Sequence, residues 1–253
     1  MSATPIPQRF DEFTKITEVY NLDNTHLLTV SAISFTIGYV EYIYALRLHL
    51  NEGKGPFPLW QHLFYFAHDT TWVYILSNAP YDHWFFFWCP VSFAVWGVFE
   101  ALCIYRAVFV EGEDVASDQL RRHSKKQSLW YIVVFTAAMY GFVFLVFDWV
   151  GPTCILEFSA FCNTVFVLGF TETSLRRGSR NGLSVALALL IVVGTIFTFA
   201  PFGMMVQAAP EVFDHPSWYF LGVALTILAI TNVFTVTSYP PKALRKGQTS
   251  AIW

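Results

Sequence analysis

Seven stretches of mostly apolar residues, at 28–48, 58–76, 83–108, 129–149, 151–172, 183–207 and 217–239, alternate along the chain with shorter polar segments. Each stretch has the length of about 20 residues that a helix needs to cross the hydrocarbon of a bilayer. Trp, Tyr and Pro collect at several of their ends, as interface anchors do. The pattern predicts an all-α polytopic membrane protein, a seven-transmembrane-helix bundle over residues 28–239. A segment at 1–27 precedes it and a tail at 240–253 follows. In the first segment Phe10, Phe13, Ile16 or Thr17, and Tyr20 recur every three or four residues. That spacing predicts a short amphipathic helix lying in the membrane interface.

The basic residues add an orientation. Arg47 and Lys54 flank the first connection, and Arg106, Arg121, Arg122, Lys125 and Lys126 mark the third. Arg176, Arg177 and Arg180 mark the fifth, and Lys242, Arg245 and Lys246 the tail; the connections near 78–83, 149–152 and 208–216 carry no Lys or Arg. Positive charge is retained on the cytosolic side. The alternation therefore predicts a lumenal N-terminus, a cytosolic C-terminus and an odd number of spans, and it makes Glu111–Ser128 a solvated cytosolic loop. With no targeting motif or signal-peptide pattern in view, the endoplasmic reticulum is the expected membrane.

Composition agrees. The 253 residues are 55% hydrophobic, 19% aromatic and only 13% charged, with mean hydropathy +0.47. A soluble domain carries about 25% charged residues. The net charge of −3 gives no reason to expect a nucleic-acid partner. Cys89, Cys103, Cys154 and Cys162 all fall in apolar stretches without zinc-site spacing, so they read as packing residues, with a Cys89–Cys154 disulfide as the less favoured alternative.

What changes the picture is the second stretch, PLWQHLFYFAHDTTWVYIL, which holds His62, His68 and Asp69. An ionisable side chain at bilayer depth costs about 2.5–3.5 kcal/mol on insertion scales, so each one marks a functional or structural site. At about 1.5 Å per residue, Asp69 lies near the midplane with no Lys or Arg at its level. It is expected to hold its proton there and to serve as a Brønsted acid. His62, Tyr65, Asp69 and Trp72 share one helix face, and His68 points about 100° away from Asp69, so the two need not act as one unit. Glu41, Glu100 and His62 fall at one depth in the cytosolic half and form a candidate polar cluster. Trp96 and Glu100 share a face. Glu157 sits in the lumenal third of the fifth stretch with Asn163 deeper, and Asp148 and Glu172 lie near the interfaces. Thr226, Thr231, Asn232 and Thr235 line the last stretch; they either face a common cavity or bond back to their own helix. Aromatic rings crowd the second and third stretches, where ring faces can stabilise a cation. A proton donor within aromatic walls suits a polyene that is protonated and then cyclises.

The phrase HLFYFAHDTTWVY at 62–74, followed by W-x-x-x-E at Trp96–Glu100, resembles the fungal integral-membrane terpene cyclases of meroterpenoid biosynthesis, nearest the macrophorin and ascofuranone cyclase subgroup. Pyripyropene-type cyclases are a more distant analogue, and their tryptophan–glutamate dipeptide is not found here. The resemblance extends over the whole hydrophobic body, and its short motif is of moderate specificity. It implies a lipophilic prenylated substrate, a farnesyl-bearing phenol or cyclohexenoid, dissolved in membrane lipid. Its terminal epoxide or alkene would be protonated and cyclised through carbocations, with no metal and no cofactor. It assigns Asp69 as the acid, His68 or Glu100 as the group that tunes it, and Glu157 as a final base or second acid. Glu41, His62, Tyr65, Trp72, Trp96 and Asn163 would line the substrate.

Two other functions share these features. Intramembrane acids also mark a proton-coupled transporter, although no internal repeat accompanies them and Pro90 and Pro201 are isolated interruptions. A sterol-isomerase-like enzyme would use acids and aromatics on a similar cation. A retinal protein needs a lysine in its last span, and none lies between Lys126 and Lys242.

Overall fold

The computed structural model describes residues 11–109 and 125–242. The first ten residues, most of the loop at 111–128 and the tail beyond 242 lie outside the described residues. The described residues form ten helices and no strand: α1 Glu12–Val19, α2 Thr25–Glu52, α3 Leu59–Ser77, α4 Trp84–Phe109, α5 Lys125–Val150, α6 Ile155–Arg177, α7 Val185–Phe199, α8 Met204–Ala208, α9 Pro210–Phe213 and α10 Pro216–Ser238.

Local chemistry sets the helix ends. Asp11, Asn24, Ser184 and His215 each accept a hydrogen bond from a first-turn amide of α1, α2, α7 and α10, meeting donors the helix itself cannot satisfy. Left-handed Gly53 and Gly178 close α2 and α6. The sixth apolar stretch is not one continuous helix. Its path breaks between Phe199 and Met204, where Pro201 removes a backbone donor, and resumes as α8.

The long helices run antiparallel in sequence. α3 packs on α4, α5 and α6; α7 packs on α2 and α10; α6 closes the ring against α10. Among the described residues six helices are long and apolar enough to cross a membrane: α2, α4, α5, α6, the α7–α8 stretch and α10. Large side chains on their outer faces, including Phe87, Trp88, Trp130, Phe220 and Phe234, are exposed, an apolar surface that suits lipid and not water. α3 is not among the six, because Gln61, His62, His68 and Asp69 lower its hydropathy. Those four residues are buried. The most polar long helix is thus screened by its neighbours.

The expected amphipathic helix near the N-terminus is present as α1, but its apolar face is turned into the bundle. Phe13, Ile16 and Tyr20 are buried, with the Phe13 ring 5.2 Å from Phe86 and 6.5 Å from Trp72. The Glu12 carboxylate accepts the Leu156 amide at 2.6 Å, at the N-terminus of α6, where a negative charge is favoured. Lys15 pairs with Glu211 at 2.8 Å. At the opposite end Glu52 accepts from the Gly182 amide at 2.7 Å and from Lys242 at 2.5 Å, tying α2 to the α6–α7 connection and to the chain after α10.

No disulfide joins the four cysteines. The Cys89–Cys154 alternative is therefore not realised, and Cys89, Cys103 and Cys154 are buried in the apolar interior.

Candidate functional site

Stripes of residues three and four apart from five helices face one another across the bundle interior. α2 presents Phe35, Gly38, Glu41 and Tyr42; α3 presents Tyr65, His68 and Asp69; α4 presents Phe85, Cys89, Phe93 and Trp96. α6 adds Ser159, Cys162, Asn163 and Phe166, and α7 adds Gly194 and Thr198. Together with Tyr20, just beyond α1, they enclose about 1010 Å³, part of it open to the exterior. Among the described residues no Lys or Arg lines this cavity.

Asp69 and His68 stand in its wall, 2% and 3% exposed. Their side chains are joined: His68 Nδ1 lies 2.8 Å from Asp69 Oδ1. This corrects the expectation from helix geometry that they need not act as one unit. Nδ1 is the ring nitrogen nearest the backbone, and the Asp side chain is short, so two neighbours can lean together along the helix although their Cβ atoms diverge. The other two polar atoms, Asp69 Oδ2 and His68 Nε2, are buried without a hydrogen-bond partner. The His68 ring is pinned edge-on by Phe158 at 4.8 Å and Phe93 at 5.6 Å.

Glu41 enters the same cavity from α2. A Cβ at Gly194 would come within 3.1 Å of its Oε1, so the glycine leaves room for the carboxyl group. Trp96 is the centre of an aromatic wall, with ring centroids 5.9 Å from Phe35, 6.1 Å from Tyr42 and 5.4 Å from Phe93. The Tyr65 hydroxyl donates to the Cys162 carbonyl at 2.6 Å and joins α3 to α6. Asn163 also lines the space, its amide donating to Ser159 O at 3.1 Å.

Other expected site residues lie elsewhere. Glu100 makes no hydrogen bond to Asp69 but is near enough to act on it electrostatically; its Oε2 is 2.5 Å from His62 Nδ1, and neither residue is part of the cavity lining. Glu41 is not part of that cluster, because it faces the cavity. Trp72 is fully buried among Phe13, Phe147, Phe158 and His68 and lines nothing. Glu157 occupies the first turn of α6, half-buried and outside the cavity lining. The polar residues of the last stretch do not reach the cavity. Thr226, Thr231 and Thr235 bond back to carbonyls four residues earlier, and Asn232 pairs with Thr171 and Ser174 on α6. Glu172 accepts from Trp60 at 2.9 Å and from Arg176 at 2.5 Å.

Sequence reasoning passed over Phe35, Tyr42, Ser159, Cys162, Phe166 and Thr198. The signal was the three-and-four spacing of 35, 38, 42 on α2 and 159, 162, 166 on α6. It is muted because these helices are apolar on every side. Among the described residues one group has metal-ligating composition: His49, His62 and Cys103, whose ligand atoms lie within 4.8 Å of one another.

No protein-family model, curated protein or solved structure matches this chain.

Proposed function

We propose that the chain is a seven-span membrane enzyme that protonates the terminal epoxide or alkene of a farnesyl-type prenylated substrate and cyclises it through carbocations. The observation that carries this reading is Asp69. One of its carboxyl oxygens is held by His68, the other has no partner among the described residues, and both residues stand in an aromatic-walled cavity whose described lining holds no Lys or Arg.

The chemistry follows from that arrangement. With Nδ1–H of His68 donating to Oδ1, the proton of Asp69 sits on Oδ2. Transfer of that proton to an epoxide oxygen or an alkene carbon leaves a carboxylate that the His68 N–H already stabilises. Electron pairs from the substrate's double bonds then close the rings, and the positive charge moves along the carbon chain past Trp96, Phe93 and Phe35, whose ring faces attract it. Loss of a proton back to the Asp69 carboxylate, left by the first transfer, ends the sequence and restores the acid. Glu41, on the facing helix, is a second carboxyl group at the cavity wall.

The topology belongs to the same proposal. α3 has 19 residues, about 28 Å at 1.5 Å each, enough to cross the hydrocarbon with the other six. Every described Lys and Arg except Lys15 lies at the end of the bundle opposite α1. That favours a cytosolic face there and a lumenal α1. The endoplasmic reticulum is the membrane this reading assigns.

The test feeds microsomes carrying the protein with an epoxyfarnesyl phenol and reads products by mass spectrometry, with Asp69→Asn alongside. Ring-closed isomers from wild type, lost in Asp69→Asn, are the expected result. Unchanged substrate with wild type overturns the reading for this substrate class, and full turnover by Asp69→Asn removes Asp69 as the acid. One observation favours a proton-coupled transporter instead: the interrupted α7–α8 stretch places Thr198 and Met204 on the cavity, and broken helices are common at transporter sites. Proton-driven uptake into liposomes would support that second reading.

A further inference from the structure

His49 on α2, His62 on α3 and Cys103 on α4 converge at the end of the bundle away from α1. All three are buried, at 2%, 3% and 2% exposure, and their ligand atoms lie within 4.8 Å of one another. We propose that they form a metal site for a zinc-class divalent ion, separate from the cavity.

Four features support it. First, the donors are two imidazoles and one thiol, a borderline-soft set of the kind zinc takes with three protein ligands and a fourth position left for water. Second, Glu100, one turn before Cys103, lies 2.5 Å from His62 Nδ1. A carboxylate on one ring nitrogen is the usual outer-shell partner of a metal-bound histidine; it fixes the tautomer and turns the other nitrogen into the ligand. That other atom, His62 Nε2, is buried and has no hydrogen-bond partner. Third, the charges are complementary. A divalent ion would offset the charge of a Cys103 thiolate and of the buried Glu100 carboxylate. Fourth, the chain folds over the site. A Cβ at Gly55 would fall 1.9 Å from His49 Nε2, so only glycine lets the 53–57 connection cross the ring, and Phe57 packs 6.2 Å from His62.

The placement gives the ion a purpose. His49 lies eight residues after Glu41, His62 seven before Asp69 and Cys103 seven after Trp96. Each ligand is therefore about two turns, roughly 11 Å, along the same helix from a residue of the cavity wall. An ion shared by the three helices would set their mutual register and so the spacing of the groups that face the cavity. It takes no part in proton transfer, and the inference does not depend on the cyclase reading.

The test uses the full-length chain purified in detergent, loaded with zinc, passed over a desalting column and assayed for metal by mass spectrometry. A parallel sample is loaded with cobalt for absorption spectra. The expected result is about one zinc per chain, a thiolate-to-cobalt charge-transfer band, and loss of both in Cys103→Ser but not in Cys154→Ser. Glu100→Gln should retain the site with affinity about 10–100-fold weaker. Substoichiometric zinc that is the same in wild type and Cys103→Ser overturns the proposal, as does binding of copper alone. Should Cys103→Ser fail to fold, the wild-type cobalt spectrum decides, and absence of the thiolate band overturns the site.

Discussion

Among the described residues are two histidine–carboxylate pairs of similar composition in different settings. His68–Asp69 joins neighbours on one helix at the cavity wall and leaves a carboxyl oxygen and a ring nitrogen without protein partners. His62–Glu100 joins α3 to α4 behind the cavity lining, next to Tyr42 on one side and to His49 and Cys103 on the other. Pairing alone does not identify chemistry. What separates the two is the company of the atoms left over: aromatic rings and open space for Asp69, other ligating side chains for His62.

Substitutions that act on one pair and spare the other would break or sharpen this contrast. The largest effect is expected from Asp69→Asn, which keeps the shape but removes the transferable proton. Product formation should fall by about 10²–10⁴-fold, the contribution of a general acid, with unchanged elution on size exclusion. Next is Glu100→Leu, which leaves His62 without its partner. Breaking a buried pair costs about 3–5 kcal/mol, read as a lower thermal midpoint in detergent, while whatever protein remains folded keeps its acid. Equal loss of turnover per folded molecule in both variants would erase the distinction. Trp96→Leu should lower turnover by about tenfold, since removing an aromatic face from a desolvated cation is worth about 1–2 kcal/mol; an unaffected rate would take the cation away from that wall.

The smallest effect concerns α1. Burial pushes the Asp11 carboxyl up, but hydrogen bonds from Thr14, Tyr81 and the Phe13 amide outweigh it and hold the group below its ordinary value of 3.8. Glu211 is likewise held below 4.5, its slight burial opposed by the hydrogen bond from Lys15. A depressed carboxyl contributes stability that is present above its unfolded-state value and lost as pH falls through its folded one. Amide exchange in residues 12–19 should therefore accelerate selectively below about pH 4, relative to the buried core of α3. Uniform exchange across both would show that these contacts do not hold α1.

The helical architecture was legible because length and apolarity suffice to mark each long segment, and the polar interruptions of α3 pointed to Asp69 and His68 directly. Depth was legible too: Glu100 and His62 share a level and do meet. Azimuth was not. Glu41 shares that level but turns to the cavity, and Trp72 shares a face with Asp69 yet is sealed among rings. In helices that are apolar all round, no polar stripe reveals which side faces inward, and only packing decides it. The hydroxyls of α10 followed the local rule, satisfying their own backbone.

The α1 helix is seated by Glu12 on the start of α6 and by Phe13 against Trp72 and Phe86, and it delivers Tyr20 to the cavity lining. If the proposed cyclase chemistry holds, a cation in that cavity survives only while water stays out, so disturbing the seat of α1 should raise the share of water-captured alcohols over olefins.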